Sequence, residues 1–213
     1  HMNLLRVVHA QQTIRWHRIL ASGKPLRLQV ILAGVRDTRA GELVEISSRC
    51  EADGENAVEG VTGLLVRSKK RRSPGERLPS PPALERLRVD IPTRDGQQFD
   101  YAKVSGDWNF IHTSELLARA AGLPRTILHG ACVLAMTCRA LTEALTDGDV
   151  GRICEIGCRF ARPVIPGTPL TLVGYQSADR RKVPFEVIDE SGNPVIKNGH
   201  FSYDASFDGF VST

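Results

Sequence analysis

Hydrophobic and polar positions along this chain group into strand-like runs first and helical runs later. Residues 4–16 (LLRVVHAQQTIRW) are rich in β-branched and apolar positions and read as a strand. Three further runs of the same kind cover 26–36, 42–52 and 57–67, with turns such as Thr38-Arg39-Ala40-Gly41 and Ala52-Asp53-Gly54-Glu55 between them. No helical stretch of useful length precedes residue 68. The pattern therefore predicts a four-stranded antiparallel sheet with one apolar face and nothing of its own to cover it. Such a sheet must pack on something else, because alone it leaves a whole hydrophobic surface in water.

Pro74, Pro79, Pro81 and Pro82 then forbid regular structure, which marks 69–83 as a linker. A second unit opens with the short strand LERLRVDIP from Leu84, followed by a helical turn over 97–104. A short helix over 114–121 is stopped by Gly122 and Pro124. Residues 130–145 form the longest apolar helix. Four strands follow at 152–161, 169–178, 182–189 and 194–204, the last two joined by the hairpin turn Glu190-Ser191-Gly192-Asn193. One long buried helix wrapped by a curved antiparallel sheet is the arrangement called a hotdog. The fold class expected is α+β: two hotdog-like halves sharing a continuous antiparallel sheet, the first lacking its central helix. The division is 1–68 for the first half, 69–83 for the linker and 84–213 for the complete half. The first half is either a degenerate repeat or a hotdog missing its start.

Composition narrows the class without naming a chemistry. At 213 residues the chain can bury a sizeable core. Its apolar runs are short and broken by charges, which predicts no membrane span, and no secretory leader pattern opens it. A cytoplasmic location is expected. Net charge is only +4, much of it in Arg67, Lys69, Lys70, Arg71 and Arg72. That run reads as a solvated linker or as a surface for an acidic partner or a phosphate. With 6% aromatic residues and none interleaved in the run, nucleic acid is not an expected partner. Cys50, Cys132, Cys138, Cys154 and Cys158 are odd in number and match no zinc spacing, so buried free thiols are expected.

The chemistry concentrates in Tyr101 to Gly130 (YAKVSGDWNFIHTSELLARAAGLPRTILHG). Asp107, Asn109 and His112 crowd into six residues after a Ser-Gly turn, and His129-Gly130 opens the long helix. Two titratable groups held together suit acid/base work, and a helix N-terminus suits a developing negative charge. Addition or removal of water beside an activated carbonyl fits both. Alone, Asp107 reads equally well as a turn cap and Ser105 as a turn support. His9, His17 and His200 fall in strands with no accompanying acid and read as ordinary residues. Asp107 and His112 without a third ligand do not make a metal site.

These residues resemble the MaoC-like dehydratases, which include the (R)-specific enoyl-CoA hydratases. The family pattern, roughly Y-x-x-x-S-G-D-x-N-P-[IL]-H, then a helix ending in G-[FL], then x-x-x-[IV]-x-H-G, is matched at Tyr101, Ser105, Gly106, Asp107, Asn109, Ile111, His112, Gly122, Leu123, Ile127, His129 and Gly130. A later R-F-x-x-P-V is matched at Arg159 to Val164. The usual Pro before the hydrophobic-His pair is Phe110 here, and Trp108 is bulkier than most residues at its site. The resemblance covers 84–204 well and 4–67 more loosely. It implies that Asp107 and His112 share the proton traffic, that Asn109 positions the water or the loop, and that Gly130 helps form a backbone oxyanion hole. Ser105, Phe110, His129 and Arg159 are the expected substrate contacts. The substrate implied is a trans-2-enoyl or (R)-3-hydroxyacyl thioester of coenzyme A or of an acyl carrier protein, with no separate cofactor and no metal. A homodimer or a helper chain would complete the first half. A non-catalytic thioester-binding or scaffold subunit is the alternative. A hotdog thioesterase fits less well, since the long helix offers only Glu143 near its far end.

Overall fold

In a computed structural model of the protein, described over residues 7–67 and 84–204, nine strands form one antiparallel sheet. The first four are β1 (Val7–Trp16), β2 (Leu26–Thr38), β3 (Gly41–Ala52) and β4 (Glu55–Arg67). After β5 (Glu85–Ile91) come four helices: α1 (Gln97–Ser105), α2 (Phe110–Thr113), α3 (Glu115–Ala120) and α4 (Gly130–Thr146). The chain closes with β6 (Ile153–Phe160), β7 (Leu170–Tyr175), β8 (Lys182–Asp189) and β9 (Pro194–Tyr203). The sheet order is β2-β3-β4-β1-β6-β9-β8-β7-β5. The expected linker and most of the basic run beyond Arg67 lie outside the described residues.

Turn chemistry fixes the strand register. Asp53 and Gly54 both take positive φ, 53° and 78°, the backbone a two-residue hairpin needs to match strand twist. At the last hairpin Asp189 Oδ1 accepts from the backbone N–H of Ser191 and of Asn193, and Gly192 supplies φ 76°. α4 ends where Asp147 and Gly148 turn left-handed. One helical turn more than expected is present, since Phe110–Thr113 closes into α2.

Phe185, Phe201, Leu172 and Ile196 from the second-half strands bury fully against Leu141 and Val133 of α4. The seam between the halves is the β1–β6 pair, running from Gln11 opposite Arg159 to Arg15 opposite Glu155. Register carries one row across it: Ile156, Ile14, Gly60, Ser48 and Val30 lie side by side on the face that α4 covers at Ile156. At the far end of that face no helix follows among the described residues. Leu28, Val30 and Leu32 are 67%, 57% and 66% exposed there. All five cysteines carry free thiols. Cys132 and Cys158 are buried and the other three half-buried, and burial pushes the Cys158 thiol up to about 12, which makes it inert.

Candidate active site

Short-range hydrogen bonds shape the loop that carries the acid. Gly106 (φ 74°) ends α1 and turns the chain. Ser105 Oγ donates to the Tyr101 carbonyl (2.8 Å) and accepts from the Asp107 N–H (3.2 Å). Asp107 Oδ1 accepts from the Asn109 N–H (3.1 Å), and Asn109 caps α2 by accepting from the Ile111 N–H (3.3 Å). Ser, Asp and Asn each bond to backbone two to four residues away, which is what they do best outside helices. Ser105 thus supports the turn, and Asn109 holds the loop.

Carbonyl partners fix both histidine tautomers, because a carbonyl only accepts. His112, buried on α2, has Nδ1 2.8 Å from the Ile127 carbonyl, so Nδ1 carries the hydrogen and Nε2 the lone pair. Burial lowers the His112 pKa to about 4; the Ile127 bond opposes the shift and His129 adds to it. The ring is therefore a neutral base near pH 7. His129, 2% exposed, places Nε2 3.0 Å from the Asp107 carbonyl. Its Nδ1 is left as a buried acceptor with no partner among the described residues.

The chain brings three donors together where the sequence argument counted two. One atom each from Asp107, His112 and His129 lies within 4.8 Å of the others. His129 completes the set from a distance in sequence, because the stretch before α4 passes beside α2. This corrects the expectation that no third ligand stands near the pair. The two imidazoles nevertheless stack, with centroids 3.7 Å apart and planes 24° apart. Their lone pairs therefore lie in two offset, nearly parallel planes, whereas a metal bound to both at about 2 Å would have to sit close to both planes at once. Proton transfer suits this arrangement better than metal binding.

Gly130 opens α4, and a Cβ there would meet the Phe160 ring at 3.2 Å. Glycine thus permits close approach at the end of the helix where the first backbone N–H groups lack helical partners. Phe110, half-buried, begins α2. Arg159 is an expected site residue that is not brought here. Ile156, Cys158 and Phe160 face α4, so strand alternation puts exposed Arg159 on the opposite face, and the expected substrate contact has no geometric basis.

Several contacts around the site are not visible in the sequence. The Tyr101 ring lies 4.8 Å from His129 and lines a cavity of about 620 Å³. That cavity runs along α4 past Leu134 and is walled on its other side by Gln12, Ile14 and Trp16 of the first half. His9, also from β1, packs its ring at a tilt against Phe160, bonds Gln12 and lies within electrostatic reach of Asp107; burial lowers its pKa. The expectation that His17 and His200 lack an acid is also corrected. His17 meets Glu59 at 3.2 Å and His200 meets Glu155 at 2.8 Å, both across strand pairs that one sequence does not reveal.

A family model described as a MaoC like domain matches residues 80–192, just over half of the chain. This chain belongs to the MaoC-like dehydratase family. A 3-hydroxyacyl-thioester dehydratase Y of Mycobacterium tuberculosis is 32% identical over 191 residues, covering 85% of this chain and 66% of that protein. The crystal structure of a MaoC-like dehydratase from Phytophthora capsici superposes with a TM-score of 0.86 at 26% identity, over 97% of this chain and 72% of that one. A Mycobacterium tuberculosis protein described as a double hotdog fold superposes at 0.60 over 94% and 76%, with 12% identity, a likeness of fold alone. The hotdog architecture of this MaoC-like chain agrees with both. The chain spans 66%, 28% and 52% of the lengths of three curated relatives that it matches. No helix among its described residues is long and apolar enough to cross a membrane.

Proposed function

We propose that this MaoC-like chain catalyses the reversible hydration of trans-2-enoyl thioesters to (R)-3-hydroxyacyl thioesters. The observation that carries the reading is the gathering of Asp107, His112 and His129 at the N-terminus of α4, with His112 held neutral and its Nε2 lone pair free of the backbone. The relatives' names, as dehydratases and hydratases of thioesters, agree with it.

A water between His112 Nε2 and the Asp107 carboxylate loses a proton to the pair as its oxygen bonds to Cβ. The double bond's electrons move toward the thioester carbonyl, whose oxygen becomes enolate-like. The pair then returns a proton to Cα, so water is added with no net proton gained or lost. Negative charge on the thioester oxygen is met by backbone N–H groups at Gly130, in the favourable field of the helix N-terminus. Dehydration is the same path reversed. The thioester carrier is coenzyme A or the phosphopantetheine of a carrier protein, and no separate cofactor takes part.

The test follows the loss of enoyl absorbance with crotonyl-CoA and trans-2-decenoyl-CoA. Wild type turns over at least one of them; Asp107→Asn and His112→Ala, both folded, each lose about 10²- to 10⁴-fold in rate, the usual worth of a positioned acid or base. The uncovered apolar face of the first half favours a second reading, a thioester-binding or scaffold subunit completed by a second copy or a helper chain. Binding of an acyl-CoA without turnover by well-folded wild type would select that reading.

A further inference from the structure

The family's usual proline in the acid-bearing loop is Phe110 here, so something else must hold His112 in place. The segment that fixes its ring is Thr126 to Leu128, and each of its residues is tied down separately. The Leu128 N–H donates to the Val164 carbonyl (2.8 Å) and the Ile127 N–H to the Ile111 carbonyl (3.3 Å). Thr126, 2% exposed, is held by side chains from two other elements. Its Oγ1 donates to Glu115 Oε1 (3.0 Å) and accepts from Gln98 Nε2 (3.3 Å), while its backbone N–H donates to the same Glu115 oxygen (3.4 Å). Glu115 sits at the start of α3, three residues after His112, and Gln98 lies buried on α1.

We propose that Thr126 is a positioning residue, which with Glu115 and Gln98 clamps the Ile127 carbonyl so that His112 is held in its Nδ1–H tautomer with Nε2 toward the reacting water. This inference rests on the hydratase reading for its kinetic consequence, but the tautomer itself is read without any substrate. The clamp ties α1, α3 and the run into α4 to one hydroxyl, so a single buried oxygen sets the angle of the base. Small losses of alignment in such a base are expensive in rate while leaving substrate affinity almost untouched.

The experiment is Thr126→Val, isosteric but without the hydroxyl, beside Thr126→Ser, which keeps it. Nitrogen NMR of uniformly labelled protein at neutral pH reads the His112 tautomer, and steady-state kinetics with crotonyl-CoA reads kcat and KM separately. Wild type and Thr126→Ser show a single Nδ1–H form. Thr126→Val shows mixed tautomers and a kcat lower by about tenfold with KM nearly unchanged. Should Thr126→Val not fold, Glu115→Ala removes the same acceptor from a half-exposed position and carries the same expectation. In a double-mutant cycle, Glu115→Ala adds little to Thr126→Val, because both break one clamp. A single Nδ1–H tautomer with wild-type kcat in Thr126→Val or Glu115→Ala overturns the proposal, as does a Thr126→Ser that fails to restore both readouts. A wild type that turns over neither enoyl thioester sinks the hydratase reading instead, and leaves the tautomer result standing.

Discussion

The two halves of the sheet are built from similar strands and differ in what lies on them. In β8 and β9, Phe185, Val187, Ile196 and Phe201 are buried under α4. In β2, Leu28, Val30 and Leu32 belong to the same face and lie open. Alternation alone makes both sets strands; only a covering layer turns apolar side chains into stability. The candidate site divides along the same line. Asp107, His112, His129 and Gly130 all come from the covered half, while the uncovered half contributes a wall of the adjoining cavity, Gln12, Ile14 and Trp16, and the half-buried His9 within electrostatic reach of Asp107.

The largest effect expected from this contrast is in the covered core. Phe201→Ala, at a fully buried side chain, should cost about 3–5 kcal/mol in urea unfolding, from lost transfer energy plus the cavity left behind. A cost below about 1 kcal/mol would mean that α4 does not pack as described.

Next comes the pH dependence of the buried base. His112 titrates at about 4 in the folded chain against 6.5 when free. Between those values the unfolded chain binds more protons, so the contribution is fully present above about 6.5 and is lost as pH falls through about 4. The shift corresponds to about 3 kcal/mol, and unfolding midpoints at pH 7 and pH 4 should differ accordingly. His112→Gln should flatten that part of the profile. The same titration should place the acid limb of kcat/KM near pH 4 rather than 6.5.

How much of this could be read in the residues themselves differs between elements. Strand boundaries, the turn at Asp53-Gly54 and the span of α4 follow from local periodicity and turn chemistry, and these were legible. Asp107, Asn109 and His112 were legible because the chemistry sits within six residues. His129 was visible as a position but not as the stacking partner of His112, since that contact depends on how the stretch before α4 passes α2. The wall from β1 was hidden for the same reason. No local signal tells which strand of one half pairs with which strand of the other, so Gln12 facing the cavity and Arg159 facing away both wait on the β1–β6 register.

That seam gives a smaller prediction. Arg15 of β1, Glu155 of β6 and His200 of β9 form an ion-pair row across it. Burial alone would raise the Glu155 pKa, but Arg15 and His200 hold it below the usual value. Because Arg15 and His200 are both well exposed, Glu155→Gln should cost no more than about 1 kcal/mol in low salt and less in high salt. A larger, salt-independent loss would make the row a structural clasp between the halves instead of a surface feature.

The smallest expected effect bears most directly on the contrast. Leu28 is 67% exposed, so Leu28→Ser removes little buried surface from this chain alone and should change unfolding free energy by less than about 0.5 kcal/mol. The measurement belongs at two protein concentrations, with the mass in solution followed by light scattering. A near-zero cost at both leaves the uncovered face as described, with β2 stabilised by its pairing to β3. A cost that grows with concentration, with wild type heavier than one chain and Leu28→Ser not, would show that a second copy covers this face. The apolar pattern of β2 would then be explained by burial between chains, and the contrast between the halves would lie in which molecule supplies the cover.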